Sequence, residues 1–383
     1  LSNNQTTLPD FLQTKVVGHR TRALQPPLPR VRSPVWKIDK SQALSENWVE
    51  FLRAKMGVAF ELEYNYKWET TCTKSWQNEL NHERNMIHDI HDDPTLASNE
   101  GQEFVIEALP QVSSEEFAAR LPMKVFRDHF ETGGHCGMHT HVIVLPYGKH
   151  KPVPIQIAKN GWQLFRAFYP GWIHLFGNYP KRLLRSRWAT WKNNFIESPT
   201  KEPSWGHKSW ATTAAEDKRH NGGISFEDCK LMEEYEDDEG RTRQKFEEEL
   251  RPTLTKFDAE IRVSDSTHEL DQIVACRALS KALFLRSADL ATVGVIDLPD
   301  AMESQVMEIA RDVQSSIQDR FFKVYDVDDG VDDGLEARQG QAMRSNAVAF
   351  VREMQPYLTP YEMKQVRSCL INPVRRRGVV KWR

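Results

Sequence analysis

Gly133-Gly134-His135-Cys136-Gly137-Met138-His139-Thr140-His141-Val142-Ile143-Val144 runs from a glycine-rich approach into two histidines spaced i, i+2, then into β-branched residues. In a strand, i and i+2 point to the same face. His139 and His141 therefore face one way, and Met138, Thr140 and Val142 the other. One face is apolar enough for a core. The other presents two imidazoles, which can bind a metal or donate to a phosphate. Taken alone, a His-x-His pair also fits two half-exposed strand residues. Further strands of the same construction tip the reading toward a site.

The first lies upstream at residues 58–66. Val58, Phe60, Leu62, Tyr64 and Tyr66 alternate with Ala59, Glu61, Glu63 and Asn65. Two carboxylates side by side on one strand repel unless a cation sits between them. A divalent metal answers that, because hard cations prefer carboxylate oxygens. The second is residues 102–109, where Phe104 and Ile106 alternate with Val105 and Glu107, and Pro110 ends the strand. The third is residues 256–263, with Asp258, Glu260 and Arg262 on one face and Phe257, Ala259, Ile261 and Val263 on the other. If the four strands share a sheet, one face carries Glu61, Glu63, Glu107, Glu260, both histidines and Arg262. Such crowding is costly without cations, so Mg²⁺ or Mn²⁺ bridging an anionic nucleotide is the expected occupant.

Around these strands the chain reads as follows. Residues 1–40, with Pro9, Pro26, Pro27, Pro29 and Pro34, form an extended basic arm. Residues 41–55 predict a short amphipathic helix capped by Ser45. Residues 69–93 predict a polar helix carrying His88 and His91. Ser113, with Glu116, caps a helix running to about Phe130. Trp162, Phe165, Phe168 and Trp172 predict packed helix, and Arg182, Arg185 and Arg187 form a cationic cluster suited to phosphate or carboxylate. Residues 195–255 are an acidic insertion without assigned chemistry. A buried-faced helix follows the last strand, with Leu270, Ile273, Val274, Leu279, Ala282 and Leu283 inward. Residues 295–383 predict a mainly helical region with a basic tail from Arg375 to Arg383.

The composition sets limits. With 27% charged and 39% hydrophobic residues, the chain of 383 residues predicts a soluble globular protein. A net charge of −3 gives no general case for nucleic acid. Five scattered cysteines without a CxxC pair indicate neither a zinc ribbon nor a disulfide framework, and favour a reducing, cytoplasmic compartment. No apolar run is long enough for a membrane helix, and no signal-peptide pattern is seen.

The order and wording of the four strands resemble the amidoligase family of the carboxylate–amine ligase superfamily, relatives of glutamine synthetase and glutamate–cysteine ligase. Gly57-Val58-Ala59-Phe60-Glu61-Leu62-Glu63 is similar to its opening Gly-x-Glu-x-Glu strand, with one extra residue after Gly57. Glu103-Phe104-Val105-Ile106-Glu107-Ala108-Leu109-Pro110 is similar to its Glu-hydrophobic-Ser/Thr-Pro strand, with Ala108-Leu109 in place of the small polar pair. Cys136-Gly137-Met138-His139-Thr140-His141-Val142 and Ala259-Glu260-Ile261-Arg262-Val263 resemble its His-x-His and closing Glu-hydrophobic-Arg strands. The match spans about residues 57–290, broken by the acidic insertion.

The resemblance implies an α+β fold, a curved antiparallel sheet of glutamine synthetase-like type with helices on its outer face. It implies a catalytic domain over residues 41–294. It implies ATP with Mg²⁺ or Mn²⁺, metal ligands Glu61, Glu63, Glu107, His139 and Glu260, and phosphate contacts from His139 and His141. Arg262 would hold the transferred phosphoryl group, Arg182, Arg185 and Arg187 would bind substrate or phosphate, and Glu63, His141 and Arg262 would be catalytic. The implied reaction is amide or isopeptide bond formation through an acyl phosphate, with a carboxylate and an amine, on small molecules, peptides or protein side chains, as substrates. Cys136 is expected to be structural rather than a nucleophile. A structural or assembly protein on a ligase-like scaffold is a second reading, docking through the basic arm and tail. A metal-dependent hydrolase or phosphotransferase is a third.

Overall fold

A computed structural model describes residues 35–67, 75–80, 86–92, 101–132, 136–146, 151–177, 224–226, 234–236, 242–244, 253–254, 256–299 and 333–371. All of these belong to one compact unit, Val31–Arg383; most of the basic arm lies outside the described residues. The strands are β1 (Lys37–Asp39), β2 (Met56–Tyr66), β3 (Ile87–His91), β4 (Gly101–Ile106), β5 (Phe130–Glu131), β6 (Gly137–Val144), β7 (Val153–Pro154), β8 (Ile224–Ser225), β9 (Glu234–Glu236), β10 (Thr242–Gln244), β11 (Thr253–Leu254), β12 (Asp258–Asp265) and β13 (Val295–Asp297). The main sheet runs β3-β4-β2-β6-β12-β8, with β5 on the end of β2, and its pairings are antiparallel. With helices layered on it, the fold is α+β.

Alternation along the central strands builds the core. Phe60, Leu62 and Tyr64 of β2, Met138 and Val142 of β6, and Ala259 and Ile261 of β12 are all fully buried on one face. The Leu270–Ala291 helix covers this face, with Cys276 Sγ 3.4 Å from Thr140 Oγ1. The Ile155–Phe176 helix packs beside it, and Trp172 Nε1 donates to Ser264 Oγ at 2.9 Å. That helix is buried on nearly every side because the Asp333–Met354 helix packs against it as well. Pro170 sits inside it. A proline breaks the helical ladder, and Asn346 fills the gap. Its Oδ1 accepts from Gly171 N at 2.8 Å, and its Nδ2 donates to Ala167 O at 2.9 Å. The Pro360–Ile371 helix closes over the Leu270–Ala291 helix.

The β6–β12 ladder contains a bulge. Ile261 pairs with Thr140 and Ser264 with Met138, so Arg262 and Val263 together oppose His139. The extra residue reverses the parity of the strand. Arg262 stays on the side of Glu260, whereas Ser264 turns into the core.

Three local expectations are corrected. Residues 41–55 are not one helix: a 3-10 turn at Lys40–Gln42 is capped by Asp39, and the helix starts only at Val49. Asp39 and Asn47 bond the nearby backbone and interrupt the helix. Within 69–93, Ser75–Leu80 is helical but Ile87–His91 is a strand, because it completes the free edge of β4. His88 sits at an irregularity between Ile87 and Asp89, and both it and His91 are exposed on an edge strand rather than spaced along one helix. The helix predicted after Ser113 is two, Ser114–Arg120 and Met123–His129, divided at Pro122. The N-cap itself is as expected, with Ser113 Oγ accepting from Glu116 N at 3.1 Å. Most of the acidic insertion lies outside the described residues. Among the described residues no helix is long and apolar enough to cross a membrane.

Candidate metal centre

The residues that alternate with the core converge on the other face of β2, β6 and β12. Ladder register fixes the arrangement. Glu61 lies directly opposite His139, and Glu260 directly opposite His141. Directly opposed residues share a face, so segments far apart in sequence meet in one patch.

His139 sits among three carboxylates. Its Nδ1 is 3.2 Å from Glu61 Oε2 and 3.5 Å from Glu260 Oε1, and its Nε2 is 3.6 Å from Glu63 Oε1. His141 Nε2 is 3.2 Å from Glu61 Oε1 and 3.7 Å from Glu260 Oε1. Its Nδ1 is 3.1 Å from Asp258 Oδ1. The Arg262 guanidinium is bonded to Glu260 Oε1, and Gly137 N donates to Glu63 Oε2. Glu63, His139, Asp258 and Glu260 are buried; Glu61, His141 and Arg262 are partly exposed.

The electrostatics follow from that crowding. Burial alone pushes the Glu61 carboxyl up, but the hydrogen bond with His139 and the close rings of His141 and His139 outweigh it and hold it far below the usual carboxylate range. Burial would lower the His141 pKa. The hydrogen bond to Asp258, the Glu61 carboxylate close to Nε2 and the charges of Asp258 and Glu260 instead raise it well above an ordinary histidine. Burial opposes the charge on Arg262 too, and Glu260 beside it reverses the effect. Four carboxylates still outnumber one guanidinium and two imidazoles, whatever the charge on the rings. The patch retains capacity for a cation.

The donor set fits a divalent ion. Glu61, His141 and Glu260 each offer one ligand atom, and these atoms lie within 4.8 Å of one another. His141 Nε2 is buried and makes no well-formed hydrogen bond, despite the nearness of Glu61 Oε1. A buried ring nitrogen in that state is costly, and metal ligation would satisfy it. The two carboxylate oxygens suit a hard cation such as Mg²⁺ or Mn²⁺, and the imidazole suits Zn²⁺ or Fe²⁺ as well.

Six of the sequence-derived residues thus come together: Glu61, Glu63, His139, His141, Glu260 and Arg262. Glu107 stands apart. It lies one residue past the end of β4, exposed, with its N–H bonded to Met86 O and no hydrogen bond or ion pair from its side chain into the patch. Arg182, Arg185 and Arg187 lie outside the described residues. Asp258 was legible on the same face as Glu260 yet carried no assigned role, because its contact with His141 runs diagonally across the ladder. Cys136, immediately before β6, is fully buried. No protein-family model matches the chain, and no curated protein matches it.

Proposed function

We propose that this chain is an ATP-dependent carboxylate–amine ligase, with its sheet of the curved glutamine synthetase-like type. The observation that carries the reading is the convergence of Glu61, Glu63, His139, His141, Glu260 and Arg262 on one face of three adjacent strands. A protein serving only as a scaffold gains nothing by crowding buried carboxylates there. Buried thiols outside any disulfide, at Cys276 and Cys369, fit a reducing, cytoplasmic setting.

Glu61, His141 and Glu260 would hold Mg²⁺ or Mn²⁺, with Glu63 and His139 beside them. A bound ion would offset charge on the β and γ phosphates of ATP. Arg262, already held by Glu260, would donate to the phosphoryl group as it moves to the substrate carboxylate. The resulting acyl phosphate is attacked by an amine, phosphate leaves, and an amide forms. His141 would contact the phosphates. The protein supplies position and electrostatics, and no serine or cysteine nucleophile is required.

The test is calorimetry of ATP binding to the full chain with and without Mg²⁺, beside a Glu61→Ala/His139→Ala variant. Binding that needs both the metal and these residues is expected, followed by amine-dependent release of phosphate. A folded wild-type chain that binds no ATP with Mg²⁺ would overturn the ligase reading in favour of an assembly scaffold. Phosphate release independent of any amine would favour a hydrolase.

A further inference from the structure

We propose that Asp258 is a positioning residue of the cation site, acting through His141. The inference rests on the cation site of the ligase reading and deepens it.

The two histidines of β6 are held differently. Both ring nitrogens of His139 face carboxylates of the patch, Glu61 and Glu260 at Nδ1 and Glu63 at Nε2. His141 instead divides its ring. Nε2 points to Glu61 and Glu260, while Nδ1 lies 3.1 Å from Asp258 Oδ1. Asp258 pairs with Ile143 in the ladder, so it is the diagonal neighbour of His141 on the same face. Its carboxylate accepts the Nδ1 proton. That bond fixes the ring plane, and it leaves Nε2 as the nitrogen that meets the cation. Nε2 is also the buried ring atom without a well-formed hydrogen bond, and the one that shares a 4.8 Å cluster with oxygens of Glu61 and Glu260.

A carboxylate behind a metal-binding imidazole sets its tautomer and orientation and raises its basicity, and its loss lowers metal affinity about 10- to 100-fold. Asp258 has the position for this part. It is 6% exposed and comes from β12, the strand that also carries Glu260. One rigid strand thereby delivers a ligand and the support for another strand's ligand.

The experiment is Mn²⁺ titration of the full chain without ATP, by calorimetry and by the electron paramagnetic resonance of free Mn²⁺. Wild type, Asp258→Ala, His141→Ala and the double variant are compared, each checked for a cooperative melt. Asp258→Ala is expected to weaken Mn²⁺ binding about 10- to 100-fold. The double variant is expected to match His141→Ala, since Asp258 has no ring left to orient. Asp258→Asn keeps the shape and covers the case in which the alanine variant does not fold; weaker binding than wild type is expected, because the amide no longer raises the basicity of the ring. Wild-type affinity in a folded Asp258 variant would overturn the inference while leaving the cation site standing. So would losses that add fully in the double variant. A wild-type chain that binds no Mn²⁺ would overturn the cation site and this inference with it.

Discussion

Glu61 stands directly opposite His139 in the β2–β6 ladder, with Oε2 3.2 Å from the ring's Nδ1. Its other oxygen lies 3.2 Å from His141 Nε2. One carboxylate thus braces both rings, and Glu61→Ala removes a proposed ligand and that brace together. Mn²⁺ affinity should fall by ~100-fold or more. The fold should persist, because the side chain is 29% exposed and its loss opens no sealed cavity. Calorimetry and a metal-free melt check the two halves separately, and near-native affinity in the variant would count against the site.

Arg262 is the fixed cation of the patch, bonded to Glu260. Truncating one partner of a buried pair leaves the other uncompensated, at ~3 kcal/mol. Arg262→Ala should therefore lower metal-free stability. A divalent cation at 100 times its dissociation constant returns about 2.7 kcal/mol to any chain that binds it. The variant's patch is more negative, so it should bind tighter and gain more than wild type at equal Mn²⁺. Paired thermal melts with and without Mn²⁺ measure this. Equal gains would mean that Arg262 does not share a field with the cation.

Gly171 lies where two helices touch. A Cβ there would come 2.6 Å from Ala347 N and 2.7 Å from Ala347 Cα, backbone atoms that cannot step aside. Gly171→Ala should cost about 1–3 kcal/mol by overpacking. Asn346→Leu should cost a similar amount, because it strands Gly171 N and Ala167 O, both served by the amide. Urea denaturation reads both losses, and Mn²⁺ affinity of the folded variants should stay unchanged. A metal defect in either would reveal coupling from this helix pair to the sheet.

His268 gives the chain a pH response separate from the patch. Its ring stacks on Tyr64 at 5.2 Å, and Nε2 is buried without a hydrogen bond. Burial first, then the charges of Lys67 and Arg127, pull its pKa down to about 4. Unfolded, the ring titrates near 6.5. Above that pH neither state is protonated and His268 has no effect. As pH falls from about 6.5 to about 4 the unfolded chain takes the proton first, so stability is lost over that window. Allowing for solvent screening of a partly exposed ring, the loss is about 1–2 kcal/mol. Urea midpoints at pH 7 and pH 4.5 should draw closer together in His268→Gln than in wild type. An identical drop in both would exclude this ring as the cause.

The central strands were legible because alternation there is simple. Phe60, Leu62, Met138, Val142, Ala259 and Ile261 read as core and are core, and Glu61, His139, His141 and Glu260 read as one face and share it. What stayed hidden depended on partners. Ile87–His91 reads as part of a polar helix until the free edge of β4 is known. Asp258 needed the diagonal register to meet His141. The bulge had no signature, since Arg262-Val263-Ser264 continues a plausible alternation. Pro122 was readable as a helix break and outweighed the continuous apolar spacing around it.

The bulge has a consequence for chain length. Between Asp258 and Asp265 the core and the charged face depend on opposite parity, so a residue gained or lost would usually exchange them. Opposite His139 the ladder has already absorbed one residue, with Arg262 and Val263 facing a single partner. Deleting Val263 would leave Glu260 against His141 and still leave Ser264 against Met138. Length differences in natural variants of this strand should therefore collect at that step, where the loss is confined to the buried side chain of Val263 and the pairing on either side is kept.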